Sequence, residues 1–181
     1  MYFFQQNLEL VFSSIVDITE LTITLISTVE DTLEMTEPNH IPAIGICFLE
    51  LAESWEFDVY DRYAEAFNEN CRQGLTDLLC RPNAELTVST AGHGFVEAVK
   101  FYFPKLLLEP FYHCMQYFDY IKMLYRLSTH EKDKTDLLQA DSVLTVLNRT
   151  MKNLVLNIPK KTTGYNYTSF ITLFYYYFVT T

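Results

Sequence analysis

Apolar residues recur at helical spacing along most of this chain. In residues 8–36 the apolar stripe has spacings of three or four residues and consists of Val11, Ile15, Ile18, Thr22, Leu25, Val29 and Leu33. Such spacing places all seven side chains on one face of an α-helix. The helix is expected to end before Pro38, because the residue ahead of a proline is pushed out of the helical region.

The rest of the chain predicts further helices. The expected helices cover residues 45–54 and 59–68, a segment beginning near Cys71, a segment from Phe95, a long helix over 104–127 and a last helix through Leu137, Ala140, Leu144, Leu147, Met151 and Leu154. Pro110 is expected to kink the long helix, because it removes one backbone hydrogen bond. Residues 85–90 are interpreted as an extended loop and 128–134 as a polar loop. The fold class predicted is therefore all-α.

The composition supports a helical fold and disfavours nucleic acids and anionic membranes as binding partners. Five glycines and six prolines among 181 residues are few for a fold built on tight turns. The net charge is −10, and Lys160-Lys161 is the one local basic cluster. Binding to nucleic acid requires clustered cations, so this class is set aside, as is flat adsorption to an anionic membrane. The start of the chain lacks a signal-peptide pattern and the cysteines form no CxxC pair, which predicts a cytoplasmic location with free thiols.

Candidate catalytic groups are sparse. Glu50, Glu53 and Glu56 lie one helical turn apart, and a solvated acidic face is the interpretation favoured for them. His113 and Cys114 are neighbours in a helix and so point about 100° apart, which disfavours a catalytic dyad. The four histidines show no metal-binding spacing. No enzyme chemistry, cofactor or metal is therefore predicted.

Aromatic residues crowd the expected long helix. Tyr112, Tyr117, Phe118, Tyr120 and Tyr125 are distributed around it rather than along one face. Aromatic side chains in helices usually belong to the core. Exposed tyrosines, however, are typical of protein–protein contacts. Core packing and an interface both remain open for this set, with Tyr117 favoured as an internal residue.

Several longer segments resemble one known family. These segments are residues 11–18, 29–36, 47–53, 57–60, 94–99 and 104–114, including the run Leu106-Leu107-Leu108-Glu109-Pro110. Together they resemble the Dbl-homology (Rho-type guanine-nucleotide exchange) domain of the Son-of-sevenless branch. The resemblance covers roughly residues 9–149. It differs from the general family pattern at Glu109, Tyr112 and His113, where the family usually carries a lysine and a Gln-Arg pair.

The resemblance implies a fold and a function. The expected fold is an elongated Dbl-homology helical bundle over residues 1–150 that lacks the family's first conserved helix, followed by an atypical apolar tail over 151–181. The implied function is binding of a Rho/Rac or Ras small GTPase and promotion of GDP release without covalent chemistry. The implied GTPase-binding surface comprises Glu109, Pro110, His113 and Gln116. A membrane would be reached only through the parent protein.

Two other hypotheses stay open. The first is a non-catalytic regulatory or autoinhibitory interaction module of a Son-of-sevenless-like protein. The second, weaker one is a helical protein anchored to a membrane by residues 165–181, which carry no charge.

Overall fold

The computed structural model of the protein describes residues 2–38, 40–67, 74 and 93–156. Their helices are α1 (Tyr2–Met35), α2 (Gly45–Glu53), α3 (Asp58–Ala66), α4 (His93–Leu106), α5 (Glu109–Leu127), α6 (Glu131–Val143) and α7 (Thr145–Leu156). No strand occurs in these ranges, so the all-α prediction is confirmed. The expectations for residues 71–79, 85–90 and 165–181 lie outside the described residues.

The periodicity expected for α1 is confirmed by its buried face. Val11, Ile18 and Leu25 are buried in the core, whereas Leu33 near the end of the helix is 40% exposed. Threonines are common in this helix, although they can compete with helical hydrogen bonding. Here the hydroxyl of each of six threonines donates to the carbonyl oxygen four residues earlier, at Thr19, Thr22, Thr24, Thr28, Thr32 and Thr36.

One part of α1 also meets the size requirements of a membrane span. The segment Val11–Met35 is long and apolar enough to cross a bilayer, by length and composition only. The core helix of a soluble bundle passes the same test. The side chains of Ile18 and Leu21 pack into the buried core with residues of the other helices, and 28% of the apolar segment is buried.

Helices α2 and α6 approach each other very closely at Gly45. The backbone N–H of Gly45 donates to Oδ1 of Asp133 at 2.5 Å, and Asp133 is almost completely buried. A Cβ atom at position 45 would lie 2.6 Å from the carbonyl oxygen of Asp133. The carboxylate of Asp133 thus caps the N-terminus of a neighbouring helix, where a negative charge is favourable. Glycine at position 45 makes the approach possible.

The expected helix over residues 104–127 is two helices, not one. Helix α4 ends at Leu106, two buried leucines form a turn, and α5 begins at Glu109 with Pro110 in its first turn. The prediction that Pro110 kinks a helix interior is therefore wrong. A proline in the first turn costs the helix no hydrogen bond, because the N–H groups of that turn have no partner within the helix. Pro104, by contrast, does lie inside α4.

The last expected helix is also divided. Helices α6 and α7 meet at Leu144, whose N–H donates to the carbonyl oxygen of Ala140 at 3.0 Å. Helix α6 begins at Glu131, so the preceding loop is shorter than expected. Helix α7 continues to Leu156 and buries Met151, beyond the expected boundary at residue 150. The division of the chain into domains stays a prediction.

Candidate interaction surface

Helix α5 is held in place by aromatic residues of α3. The hydroxyl of Tyr63 donates to the carbonyl oxygen of Leu107 at 2.6 Å, in the turn just before α5. The ring centroid of Phe111 lies 5.3 Å from that of Tyr63 and 5.0 Å from that of Phe67. Aromatic pairs at these separations contribute roughly 0.5–1.5 kcal/mol beyond the area that they bury. The start of α5 is therefore a firmly positioned part of the bundle.

His113 faces the interior rather than solvent. Its Nδ1 lies 2.7 Å from the hydroxyl oxygen of Tyr60, and its ring lies 4.9 Å from that of Tyr117. Burial lowers the pKa of His113 and raises that of Tyr60 well above its ordinary value. Both groups are therefore favoured in their neutral forms, which suits a hydrogen bond between them. His113 joins α5 to α3.

A second hydrogen bond joins α5 to α1. The hydroxyl groups of Tyr117 and Thr22 are 3.0 Å apart, and Tyr117 is 4% exposed. The expectation that Tyr117 packs internally is confirmed. The ring of Phe57 meets Tyr117 edge to face at 5.5 Å. Helix α5 is thereby fixed from two sides by polar contacts.

The other residues expected at the surface occupy different environments. Glu109 is exposed, whereas Pro110 and Gln116 are half-buried. Partial burial of its carboxyl group raises the pKa of Glu109. Glu109, His113 and Gln116 lie on successive turns of α5, and of the three Glu109 is the exposed one. Residues 109–121 contain no lysine or arginine, so this half of the helix has no cation to offer a partner.

The sequence interpretation did not identify the unusual backbone at Trp55. This residue has a φ of 64°, in the left-handed region, and is 73% exposed. The N–H of Trp55 donates to Ala52 and that of Glu56 donates to Leu51, at 3.4 and 3.1 Å. These two bonds define a Schellman motif at the end of α2. No residue in the sequence signalled it, because this position usually holds glycine or asparagine.

The described residues contain little that could perform covalent chemistry. Cys114 is fully buried, and burial raises the pKa of its thiol well above the ordinary value. Its neighbour His113 points to Tyr60 instead. Within the described ranges no group of three or more histidine, cysteine, aspartate or glutamate residues could hold a metal ion.

These features define a class: an all-α bundle with a rigidly held central helix and an acidic exterior. The chain is homologous over most of its length to Son of sevenless proteins. It is 43% identical to the protein son of sevenless of Drosophila melanogaster over 157 residues, 86% of this chain. It is 28% identical to a Son of sevenless homolog of Caenorhabditis elegans over 145 residues, 70% of this chain. The chain spans about a tenth (10%) of the length of these relatives. No family model matches the chain.

Proposed function

We propose that this chain is a Dbl-homology segment of a cytoplasmic guanine-nucleotide exchange factor of the Son-of-sevenless kind. It binds a small GTPase of the Rho/Rac type and promotes release of GDP. The observation that carries the proposal is the 43% identity to the Drosophila protein over 86% of the chain. The resemblance of residues 94–114 to the long conserved region of Dbl-homology domains supports the same assignment.

The proposed activity requires binding energy but no covalent step. A partner that binds the nucleotide-free GTPase more tightly than the loaded form must weaken nucleotide binding by the same factor, because coupling between sites is reciprocal. Holding a GTPase in a strained conformation favours a surface that loses little entropy on binding. Helix α5 meets this requirement, since Tyr60, Tyr63 and Thr22 fix it through hydrogen bonds to its own residues or to the turn before it.

The proposed contact surface is the outward side of the first half of α5. Glu109 and Gln116 would contact the GTPase, and Pro110 would shape the start of the helix. His113 takes a different part from the one that the resemblance implied: it positions α5 from inside, through Tyr60. Exposed carboxylates such as Glu109 suit a partner surface that carries lysine or arginine.

Nucleotide release tests this proposal. Rac-type, Rho-type and Ras-type GTPases loaded with a fluorescent GDP analogue would be mixed with the intact chain, and the release rate followed. We expect faster release from a Rho- or Rac-type GTPase, and loss of most of the acceleration in Glu109→Lys. Glu34→Lys makes the same charge change at an exposed site on α1 and should release nucleotide at the wild-type rate. Equal acceleration by both variants would remove α5 from the proposed surface.

The same measurement addresses a second candidate function. The absence of lysine and arginine from residues 109–121 and the inward orientation of His113 favour a non-catalytic regulatory module. Such a module would bind a GTPase, or a neighbouring region of its own protein, without accelerating exchange. Binding measured by calorimetry with an unchanged release rate would select this function over exchange.

A further inference from the structure

Trp55 stands out among the exposed side chains of this protein. It is the single tryptophan of the chain, lies in the turn between α2 and α3, and is 73% exposed. Tryptophan is enriched among the residues that dominate the energy of protein interfaces. Its indole face also attracts cations, most strongly of the aromatic side chains. The side chain is available to a partner, and none of the proposed contacts of α5 uses it.

The surroundings of Trp55 are strongly acidic. Residues 41–61 contain five carboxylates and no lysine, arginine or histidine. The five are Glu50, Glu53, Glu56, Asp58 and Asp61. Within the described part of the chain, none of them forms an ion pair. Burial, together with the charges of Asp58 and Glu65, raises the pKa of Asp61. Among the described residues, Glu53 accepts a hydrogen bond from Gln139 at 2.7 Å, and no cation pairs with any of the five carboxylates.

A cleft adjoins this turn. Glu56, the residue after Trp55, lines a cleft of about 330 Å³ between α1, α2 and α3. Ligand pockets span roughly 300–1,000 Å³, so the cleft has room for a long side chain. Its other lining residues include Asp17, Glu20, Leu51, Val59 and Arg62. Arg62 binds Asp17 at 3.2 Å, which leaves the carboxylates of Glu20 and Glu56 without an ion pair among the described residues. The lining is mostly polar, with Leu51 and Val59 as apolar neighbours of these carboxylates. Such a cleft suits the cationic head of lysine or arginine, whose stem would lie against the two apolar side chains.

We propose that Trp55 and this cleft form a docking site for a basic segment of a protein partner. One lysine or arginine of the segment lies over the indole, and another enters the cleft beside Glu20 and Glu56. The charge of the protein identifies the occupant. A second copy of this chain carries the same net charge of −10, and nucleic acids and anionic membranes are repelled as well. The site is separate from the GTPase-binding function proposed for α5 and stands without it.

Binding at this site can be measured through the fluorescence of Trp55. The intact chain would be titrated with a short synthetic peptide rich in lysine and arginine while the emission of Trp55 is followed. We expect a saturable change in emission, and no change with a peptide in which glutamine replaces every basic residue. A constant emission up to about 1 mM basic peptide, the weak end of the affinity scale, would overturn the proposal.

Variants separate this site from a diffuse attraction to a negative protein. Anisotropy of a labelled peptide measures binding when Trp55 itself is replaced. We expect Trp55→Gly to weaken binding roughly two- to fivefold, as loss of a cation–π contact implies. Glu56→Gln should also weaken binding, whereas Glu34→Gln, an identical charge change at an exposed site on α1, should not. Equal weakening by Glu56→Gln and Glu34→Gln would contradict a specific site.

The same carboxylates could instead bind a metal ion, so a metal must be distinguished from the basic peptide. Carboxylates also bind Ca²⁺, which prefers oxygen ligands. The titration would be repeated with calcium chloride in place of the peptide. We expect no saturable change in Trp55 emission, since the described residues offer no group that could hold a metal. A calcium response equal to the peptide response would replace the proposed docking site with a cation site.

Discussion

Trp55 occupies the backbone position after a helix at which glycine is usual. A left-handed conformation costs an L-residue about 1–2 kcal/mol, whereas glycine adopts it freely. Glycine also increases the conformational entropy of the unfolded chain, which lowers the stability gained by removing this strain by about 0.4–1 kcal/mol. We therefore expect Trp55→Gly to raise the free energy of unfolding by about 0.5–1 kcal/mol, measured by urea denaturation. Glu50→Gly, at an exposed position inside α2, should lower it by about 1 kcal/mol. A loss of stability in Trp55→Gly would contradict the strain assigned to this turn.

His113 should make stability depend on pH. Burial holds its pKa in the folded protein below the ordinary value of 6.5. As the pH falls through that value, the unfolded chain takes up the proton more readily, so the folded state loses stability. We expect the free energy of unfolding to decrease from about pH 7.5 to about pH 5.5, by at most about 1.4 kcal/mol per pH unit for one proton.

Replacement of His113 isolates its contribution. The carboxyl groups of Glu109 and Asp61 have raised pKa values and act in the opposite direction, stabilising the folded state as the pH falls. Comparing the wild type with His113→Gln cancels their effect. The variant should show a flatter pH dependence than the wild type. Parallel curves for the wild type and His113→Gln would mean that His113 is not the sensitive group.

At the scale of the elements, the junction between α2 and α6 depends on Gly45. A Cβ atom there would lie 2.6 Å from a backbone oxygen of α6 and 2.9 Å from Cγ of Leu137. Because the backbone of a packed helix cannot move away easily, we expect Gly45→Ala to lower the free energy of unfolding by about 1–3 kcal/mol. Gly94 in α4 has nothing within 4 Å of its Cβ position. Gly94→Ala should therefore leave stability unchanged or raise it by up to about 1 kcal/mol, and equal losses in both variants would refute the steric explanation.

Helix type was predictable from periodicity, but helix ends were not. The apolar stripe through Leu137, Leu144 and Met151 continues in phase across the break between α6 and α7, so spacing alone shows one helix. Likewise, the buried pair Leu107-Leu108 does not differ in pattern from the helices on either side. Pro110 was a useful signal of a boundary, and it was misplaced because a proline indicates either a kink or a first turn.

The candidate site was only partly predictable for a different reason. The resemblance implied one exposed face for Glu109, His113 and Gln116; Glu109 is exposed, but His113 points inward. The partner of His113 is Tyr60, 53 residues earlier in the chain. No local pattern reports such a contact, because it exists only after α3 has packed against α5. The left-handed backbone of Trp55 could not be predicted either, because glycine is the residue usually found in this conformation after a helix.

At the scale of the whole molecule, the net negative charge should make stability depend on salt concentration. The chain carries a net charge of −10, and two ion pairs, Arg62–Asp17 and Lys134–Glu131, form among its described residues. Repulsion between unpaired carboxylates opposes the compact state. Salt screens this repulsion, with a screening length that falls from about 30 Å at 0.01 M to about 8 Å at 0.15 M. We therefore expect the urea midpoint of unfolding to rise when sodium chloride is added over this range.

The turn around Trp55 should contribute a measurable part of that salt response. Glu53→Gln and Glu56→Gln together remove two charges from the acidic segment and should reduce the rise of the midpoint with salt. A midpoint that falls with salt in the wild type would show that ion pairs, rather than repulsion, dominate the electrostatic free energy of folding.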